Sequence, residues 1–374
     1  MATVIRNGTS SPARGPESRR GKLSRFGAGR PALVLANLLI CCVGRRGSPT
    51  YCNSQPPTRA TAPENDTPRV IEVPAPLQQR TSSVEASGIA WCRSLGRYLV
   101  VSDDVGLKTH GTRHAPWLFA TDTAGKLDDE PVPLLGIDSL NDPEAITAGP
   151  EGTFFITTSH SPDRKGRTPP NRRILLHARP EGRALRILGR VDLTEARDRD
   201  GRELLASGGL DEGGRIDIEA LAFRDDALYI GFKSPLTPRG GAIILRLAAP
   251  VAALGAGRIP AGTLIRFAEV ALEVVGPAGP VAQGLADMLF LPDGSMVLLG
   301  NSPKGLSADD GGALWWLAHP RSALPLRPTL LRRYSGLTPE GVTVGADGSS
   351  LVIVFDRKSL PPMWTRRPLP RLHP

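Results

Sequence analysis

From residue 68 onward the chain alternates short apolar runs with Gly, Pro and Asp, and the apolar runs come in pairs. The first members are "ASGIAW" from 86, "PEAITA" from 143, "IEALAF" from 218, "LADMLF" from 285 and "PEGVTV" from 339. Each leads through a turn to a second run: "YLVVSDD" (98–104), "FFITTSH" (154–160), "LYIGFK" (228–233), "MVLLGNS" (296–302) and "LVIVFDRK" (351–358). The segments between them, such as "GPEG", "RDD", "LPDG" and "GADG", supply residues that accept hairpin-turn geometry. Runs of this length with this punctuation predict β-hairpins rather than helices.

Third strands are predicted at "WLFATD" (117–122), "RILLHAR" (173–179), "AIILRLA" (242–248) and "ALWWLAH" (313–319). "ALRILGRVDL" (184–193) and "TLIRFAEVALEV" (263–274) are candidates for fourth strands. A hairpin-led unit of four antiparallel strands, repeated, predicts an all-β fold, a β-propeller. Five four-stranded blades are detectable, and the longest gap leaves room for a sixth, degenerate one. "RVIEV" (69–73) reads as a strand that pairs with the last unit and closes the ring, removing a free edge. The polar, Gly-rich stretch 194–215 in that gap reads as an inserted loop, a lid over a site.

Charge locates the domain boundary. The net charge of +9 suggests nucleic acid, but residues 1–80 hold 12 Lys and Arg against 4 Asp and Glu, which leaves the remainder nearly neutral. A nucleic-acid interface would carry its positive charge on the fold, so no nucleic-acid partner is expected. Residues 1–43 form a basic region whose apolar run, "ALVLANLLICCV" (32–43), is too short for a transmembrane span and suits a signal-peptide core. The expectation is an extracytoplasmic protein, periplasmic or secreted; a misplaced start would leave it cytoplasmic. Residues 44–67 read as a disordered linker, 68–358 as the propeller and 359–374 as a C-terminal tail. Cys41, Cys42, Cys52 and Cys92 have neither zinc spacing nor a disulfide framework, and Cys92 is expected buried. A monomer is expected.

"NDPEAITAGPEGTFFITTSHSPDRKG" and "IDIEALAFRDDALYIGFKSPLTPRGGAIILRLAAP" resemble the bacterial β-propeller family known as domain of unknown function 3616. "EASGIAW…YLVVSDD" is similar, more distantly, to the phytase-like esterase propellers. The resemblance spans about residues 82–358. It implies the fold and brings no settled activity.

In a propeller the first strand of each blade lines the channel, so the start of the first strand and the end of the second share one mouth. Glu144, Glu219 and Glu340 stand at equivalent first-strand starts and are candidate ligands for a hard cation, Ca²⁺ above all. In unit one Ser87 takes that position. In unit four it is Ala286, with Asp287 one residue on and so turned to the other face. His160, Lys233 and Asp356, at second-strand ends, are candidate catalytic groups, His160 because it titrates near neutrality. Asp103, Asp104, Ser159, Asn301 and Arg357 are candidate ligand-binding residues at the same mouth. The alternative is that the acids pair with Lys233, Arg357 and neighbouring backbone, and so staple blades.

No Ser-hydrolase elbow, zinc-protease helix, phosphate loop or dinucleotide fingerprint occurs. Three functions remain open: a metal-assisted hydrolase of a small anionic ester such as a phosphoester, a non-catalytic propeller that binds a small ligand or peptide, and a structural module of the envelope. The fold alone does not choose among them.

Overall fold

The computed structural model describes residues 66–79, 84–103, 117–209, 215–276, 279–303, 311–321, 323–358 and 360–370. The N-terminal apolar run and the paired histidines His110 and His114 lie outside the described residues. The described residues form five blades around one axis, antiparallel except that Leu134–Leu135 and Ala323–Leu326 add parallel outer strands to blades two and three. The innermost strands are Ala86–Cys92, Pro143–Ala148, Asp217–Arg224, Gly284–Phe290 and Thr338–Val344. Each packs beside the next, and the fifth returns to the first, so the ring is closed.

The period-two rule explains why the second strands are apolar throughout. Successive side chains point to opposite faces, and in a propeller both faces are covered by neighbouring blades. In blade three (217–270), Leu228, Ile230 and Phe232 pack toward blade two (143–192) with Phe155 and Leu175, while Tyr229 packs toward blade four (284–334) with Met288 and Trp315. In blade five, Leu351, Ile353 and Phe355 join Val297 and Leu299 of blade four, while Val352 and Val354 join Ile89 and Val100 of blade one. The fifth interface joins Leu99 and Val101 of blade one to Ile146 and Ile156 of blade two. Five apolar clusters thus fill five interfaces.

The N-terminal strand closes blade five as expected. Arg69–Val70 pairs antiparallel with Met363–Pro368. That pairing corrects two boundaries. Residues 359–374 are not simply a tail, because Met363–Pro368 is the third strand of blade five, bonded along Ser350–Asp356. Nor is the linker free to residue 67: Asp66 is buried and lies 3.4 Å from Arg332 and 3.9 Å from Arg367. The alternating Arg-Trp-Thr pattern of the third strand is weakly apolar, which hid it.

The outer strands also differ from expectation. Thr329–Tyr334 completes blade four. The long run 263–274 is not one strand: Leu264–Val270 ends blade three, and Glu273–Gly276 turns into a hairpin with Gly279–Ala282. The described part of the insertion, 194–209, is anchored. Ala196 and Leu204 are buried in the cluster with Ile218 and Phe232, which a lid free to swing would not be. Besides the helical turn Leu204–Ser207 there, helices occur at Ala75–Gln78 and Pro250–Gly255. Among the described residues no helix is long and apolar enough to cross a membrane.

Ring closure by the N-terminal strand predicts a specific truncation pattern. A chain beginning at residue 66 should unfold in denaturant like the full chain. One beginning at 74 loses the strand pairing and buried Ile71, and should lose roughly 2 to 4 kcal/mol. Equal stability of the two truncations would show that the closing strand is dispensable.

Candidate functional site

All five inner strands carry a β-bulge at the same place. The register skips Ser87 between Ala86 and Gly88, Glu144 between Pro143 and Ala145, and Glu219 between Ile218 and Ala220. It skips Ala286 between Leu285 and Asp287, and Glu340 between Pro339 and Gly341. A bulge opposes two residues to one and re-aims the extra side chain. The residue after the bulge is Gly88, Ala145, Ala220, Asp287 or Gly341, and the crowding explains the small ones. A Cβ on Gly341 would stand 2.8 Å from Gly88 Cα, and one on Gly88 would stand 3.0 Å from Ala145 Cα.

Blade four inverts the pattern, with the small residue in the bulge and the acid after it. Asp287, buried, accepts hydrogen bonds from Met288 N at 2.9 Å and from Val342 N of blade five at 2.8 Å. This acid is a staple between inner strands. Burial pushes its carboxyl well above the usual carboxylate range, against the pull of the Val342, Met288 and Leu221 amides.

The three bulge glutamates converge. Lys233, at the end of the second strand of blade three, places Nζ 2.5 Å from Glu219 Oε2 and 3.5 Å from Glu340 Oε1 of blade five. Blade four lies between them. It carries only Ala286 at the bulge, and a Cβ on Gly284 would overlap the Lys233 carbonyl. All four side chains at this crossing are nearly withdrawn from water. Burial lowers the proton affinity of Lys233, but the Glu219, Glu340 and Asp217 carboxylates outweigh it and hold the ammonium well above the usual lysine range.

The larger concentration of acid lies in blades one to three. Ligand oxygens of Asp103, Asp142 and Glu144 lie within 4.8 Å of one another, and so do those of Glu144, Asp217 and Glu219. Glu144 belongs to both triads. Its burial, and then the charges of Asp142, Asp103, Glu219 and Asp217, push its carboxyl well above the usual range. Glu340 is raised by burial; Lys233 pulls it down, and Glu219, Asp356 and Asp103 push it up. Asp142 is held by Arg172 and Ser159, with Ser161 Oγ at 3.5 Å. Asp142 and Asp217 were not singled out from the sequence. The signal was present, since "DPE" and "DIE" both put an acid two residues before the bulge glutamate.

The remaining candidates disperse. Asp103 and Asp356 act electrostatically on the glutamates, and Asp356 Oδ1 accepts from Lys358 N at 2.7 Å. Half-buried Arg357 follows it. Asn301, buried, donates to Pro339 O at 2.7 Å, joining blade four to blade five. Ser159 is engaged by Asp142 and by Ser161 Oγ at 2.9 Å. Asp104 lies outside the described residues. His160 does not join the glutamates. Its backbone has φ 60°, and its ring lines a separate cavity beside Arg173, Thr194 and Leu204. The left-handed turn at His160, unforeseen from the apolar run before it, swings it away from the channel. Cys92 is buried, as expected.

No family model matches the chain, and no curated protein matches it in sequence, so the resemblance to domain of unknown function 3616 rests on the quoted segments alone. Among solved structures the chain is similar to a gluconolactonase from Xanthomonas campestris, at 17% identity over 86% of this chain and 100% of that one, TM-score 0.35. It is also similar to a glucose dehydrogenase, at 11% identity over 81% and 100%, TM-score 0.44. A third is an exo-β-1,3-galactanase from Phanerochaete chrysosporium, at 10% identity over 82% and 65%, TM-score 0.42. At these identities and TM-scores no chemistry carries from those proteins to this one.

Two outcomes follow from the geometry. Asp287→Ala should cost about 2 to 4 kcal/mol in chemical denaturation, because it strands buried amides. The second is a pH dependence. Glu144 and Glu340 have raised folded-state pKa values, so their contribution is fully present below the ordinary glutamate value of 4.5 and is lost as pH rises through the raised values. Asp287 has the same sign. Buried His160, lowered to about 4, has the opposite sign up to its ordinary value of 6.5. In chelator the protein should therefore unfold more easily as pH climbs above about 7, and a flat profile there would contradict the burial of these acids.

Proposed function

We propose that the mouth is a hard-cation centre that acts on a small anionic ester. The observation that carries this reading is the pair of carboxylate triads sharing Glu144. Carboxylates this close repel one another unless protonated or neutralised, and the two cationic side chains at hand are already engaged, Lys233 with Glu219 and Glu340 and Arg172 with Asp142. An all-oxygen, multiply charged donor set is the kind Ca²⁺ takes, and it suits neither soft nor nitrogen-preferring ions.

Asp103, Asp142, Glu144, Asp217 and Glu219 would hold the cation, which would supply a Lewis acid toward a phosphoryl or carbonyl oxygen. Lys233 fixes Glu219 and keeps positive charge beside the entering anion. Glu340, which Lys233 joins to Glu219, has its proton affinity raised by burial and is the residue suited to hold a proton, with Asp356 acting on it electrostatically. Asp103 and Asp142 are half-buried, so the cation side of the mouth faces outward and a ligand can reach it. An exported location fits the basic N-terminal region with its apolar core. A ligand-binding propeller without turnover is the second reading, favoured by the absence of any free nucleophile at this crossing among the described residues.

The test is calcium titration of chelator-treated protein, with turnover measured on generic phosphoesters and carboxylic esters. Calcium at a hundred times its Kd should stabilise the fold by about 2.7 kcal/mol. Glu144→Gln should weaken calcium binding by roughly tenfold or more, while making the chelated protein more stable at neutral pH, because it removes a buried charge. Absence of cation binding would defeat the proposal. Binding without turnover would select the second reading.

A further inference from the structure

Away from the channel, a cavity of about 580 Å³ opens between blade two and blade three. Its walls include His160, Thr168, Arg173, Thr194, Glu203 and Arg215, and none of the mouth carboxylates. His160 is 2% exposed, and its Nε2 makes no hydrogen bond. Its Nδ1 stands 2.8 Å from the Thr158 carbonyl. A carbonyl only accepts, so Nδ1 carries the proton and Nε2 presents a lone pair. Burial lowers the ring pKa to about 4, against the pull of the Thr158 carbonyl, Asp192 and the Arg173 carbonyl, so the imidazole is neutral at neutral pH.

Beside it, Arg173 has two of its nitrogens committed, Nη2 to Asp192 at 3.2 Å and Nη1 to Thr194 Oγ1 at 3.4 Å. Its Nε is buried and makes no hydrogen bond. One wall therefore carries an unpaired acceptor and an unpaired cationic donor. Leaving both buried without partners costs on the order of 1 to 3 kcal/mol each. The His160 backbone is also held at φ 60°, a region unfavourable to residues with a Cβ. Arg215, exposed, adds a second positive charge at the rim.

We propose that this cavity is a second ligand site, for a small hydroxylated anion whose hydroxyl donates to His160 Nε2 and whose anionic group takes Arg173 Nε and Arg215. A carboxylate and a phosphate share this chemistry. The cavity shares no lining residue with the carboxylate triads at the mouth. Glu203, the acid in the lining, is paired with Arg197 at 3.4 Å, and Arg173 with Asp192, which leaves Arg215 as the added positive charge.

Calorimetry on the full chain with glycerate and with glycerol phosphate tests it. Propionate, which lacks the hydroxyl, and glycerol, which lacks the charge, serve as controls. At least one of the two hydroxylated anions should bind more tightly than both controls, and which one binds identifies the anionic group. The imidazole ¹⁵N signal of His160 Nε2 should shift on binding in the unsubstituted protein, a readout that needs no variant to fold. His160→Phe keeps the ring shape and removes the acceptor, and Arg215→Ala removes the rim charge. Each should weaken binding by roughly tenfold, whereas Glu144→Gln should leave it unchanged. No binding of either anion, an unmoved Nε2 signal, or full affinity in His160→Phe would overturn the assignment.

Discussion

Five strands must run side by side around one narrow axis, and the bulge repeated in every inner strand is how this chain meets that constraint. A regular strand would send alternate side chains into the neighbouring inner strand, where Gly88 and Gly341 leave no room even for a methyl group. The bulge lets one residue turn out toward the mouth while the next stays small and lets the backbones touch. The recurring acid-then-small pair is therefore one packing solution used repeatedly. The close backbone approach requires the small residue, and the re-aimed position presents whatever the mouth needs.

What the mouth receives is uneven around the ring. Blades two and three each present two carboxylates, blade one presents Asp103, and blade four presents Ala286. Lys233 reaches from blade three to Glu340 in blade five, with blade four between them. The acid that blade four does carry, Asp287, is spent on backbone amides. An acid in the bulge faces the other acids, whereas an acid one residue later faces the neighbouring backbone. Of the two readings of the acids drawn from the sequence, stapling is seen at Asp287, and cation binding is what we propose for the triads around Glu144.

This division marks how far the sequence could be read. Blade number, hairpin pairing and closure by Arg69–Val70 were legible because both faces of a second strand are covered, which forces runs such as "LVIVF" to be apolar at every position. The outer strands Ala184–Asp192 and Leu264–Val270 were legible too, but Thr329–Tyr334 and Met363–Pro368 were not, since they are half solvated and read as polar segments. At the mouth, the equivalence of Glu144, Glu219 and Glu340 was legible from alignment, as was the turning away of Asp287. Asp142 and Asp217 were passed over although each stands two residues before a bulge glutamate. His160 was misplaced because its left-handed backbone, invisible to a hydrophobic pattern, turns the chain there and puts its ring in the cavity.

That turn has a structural cause in the same few residues. Arg172 donates to Asp142 at the mouth and to the Ser161 carbonyl at 2.9 Å, while its own carbonyl accepts the His160 amide at 2.9 Å. Asp142 and His160 both sit in the left-handed region, at φ 62° and 60°. Two strained residues on either side of one buried guanidinium hold each other in place, because neither can relax without breaking a charge-assisted or a buried backbone hydrogen bond. The strand end Thr158–Ser161 is thereby split: Ser159 faces Asp142 and the channel, and His160 faces the cavity between the blades. Arg172 thus fixes both the residue that faces the triads and the one that faces the cavity.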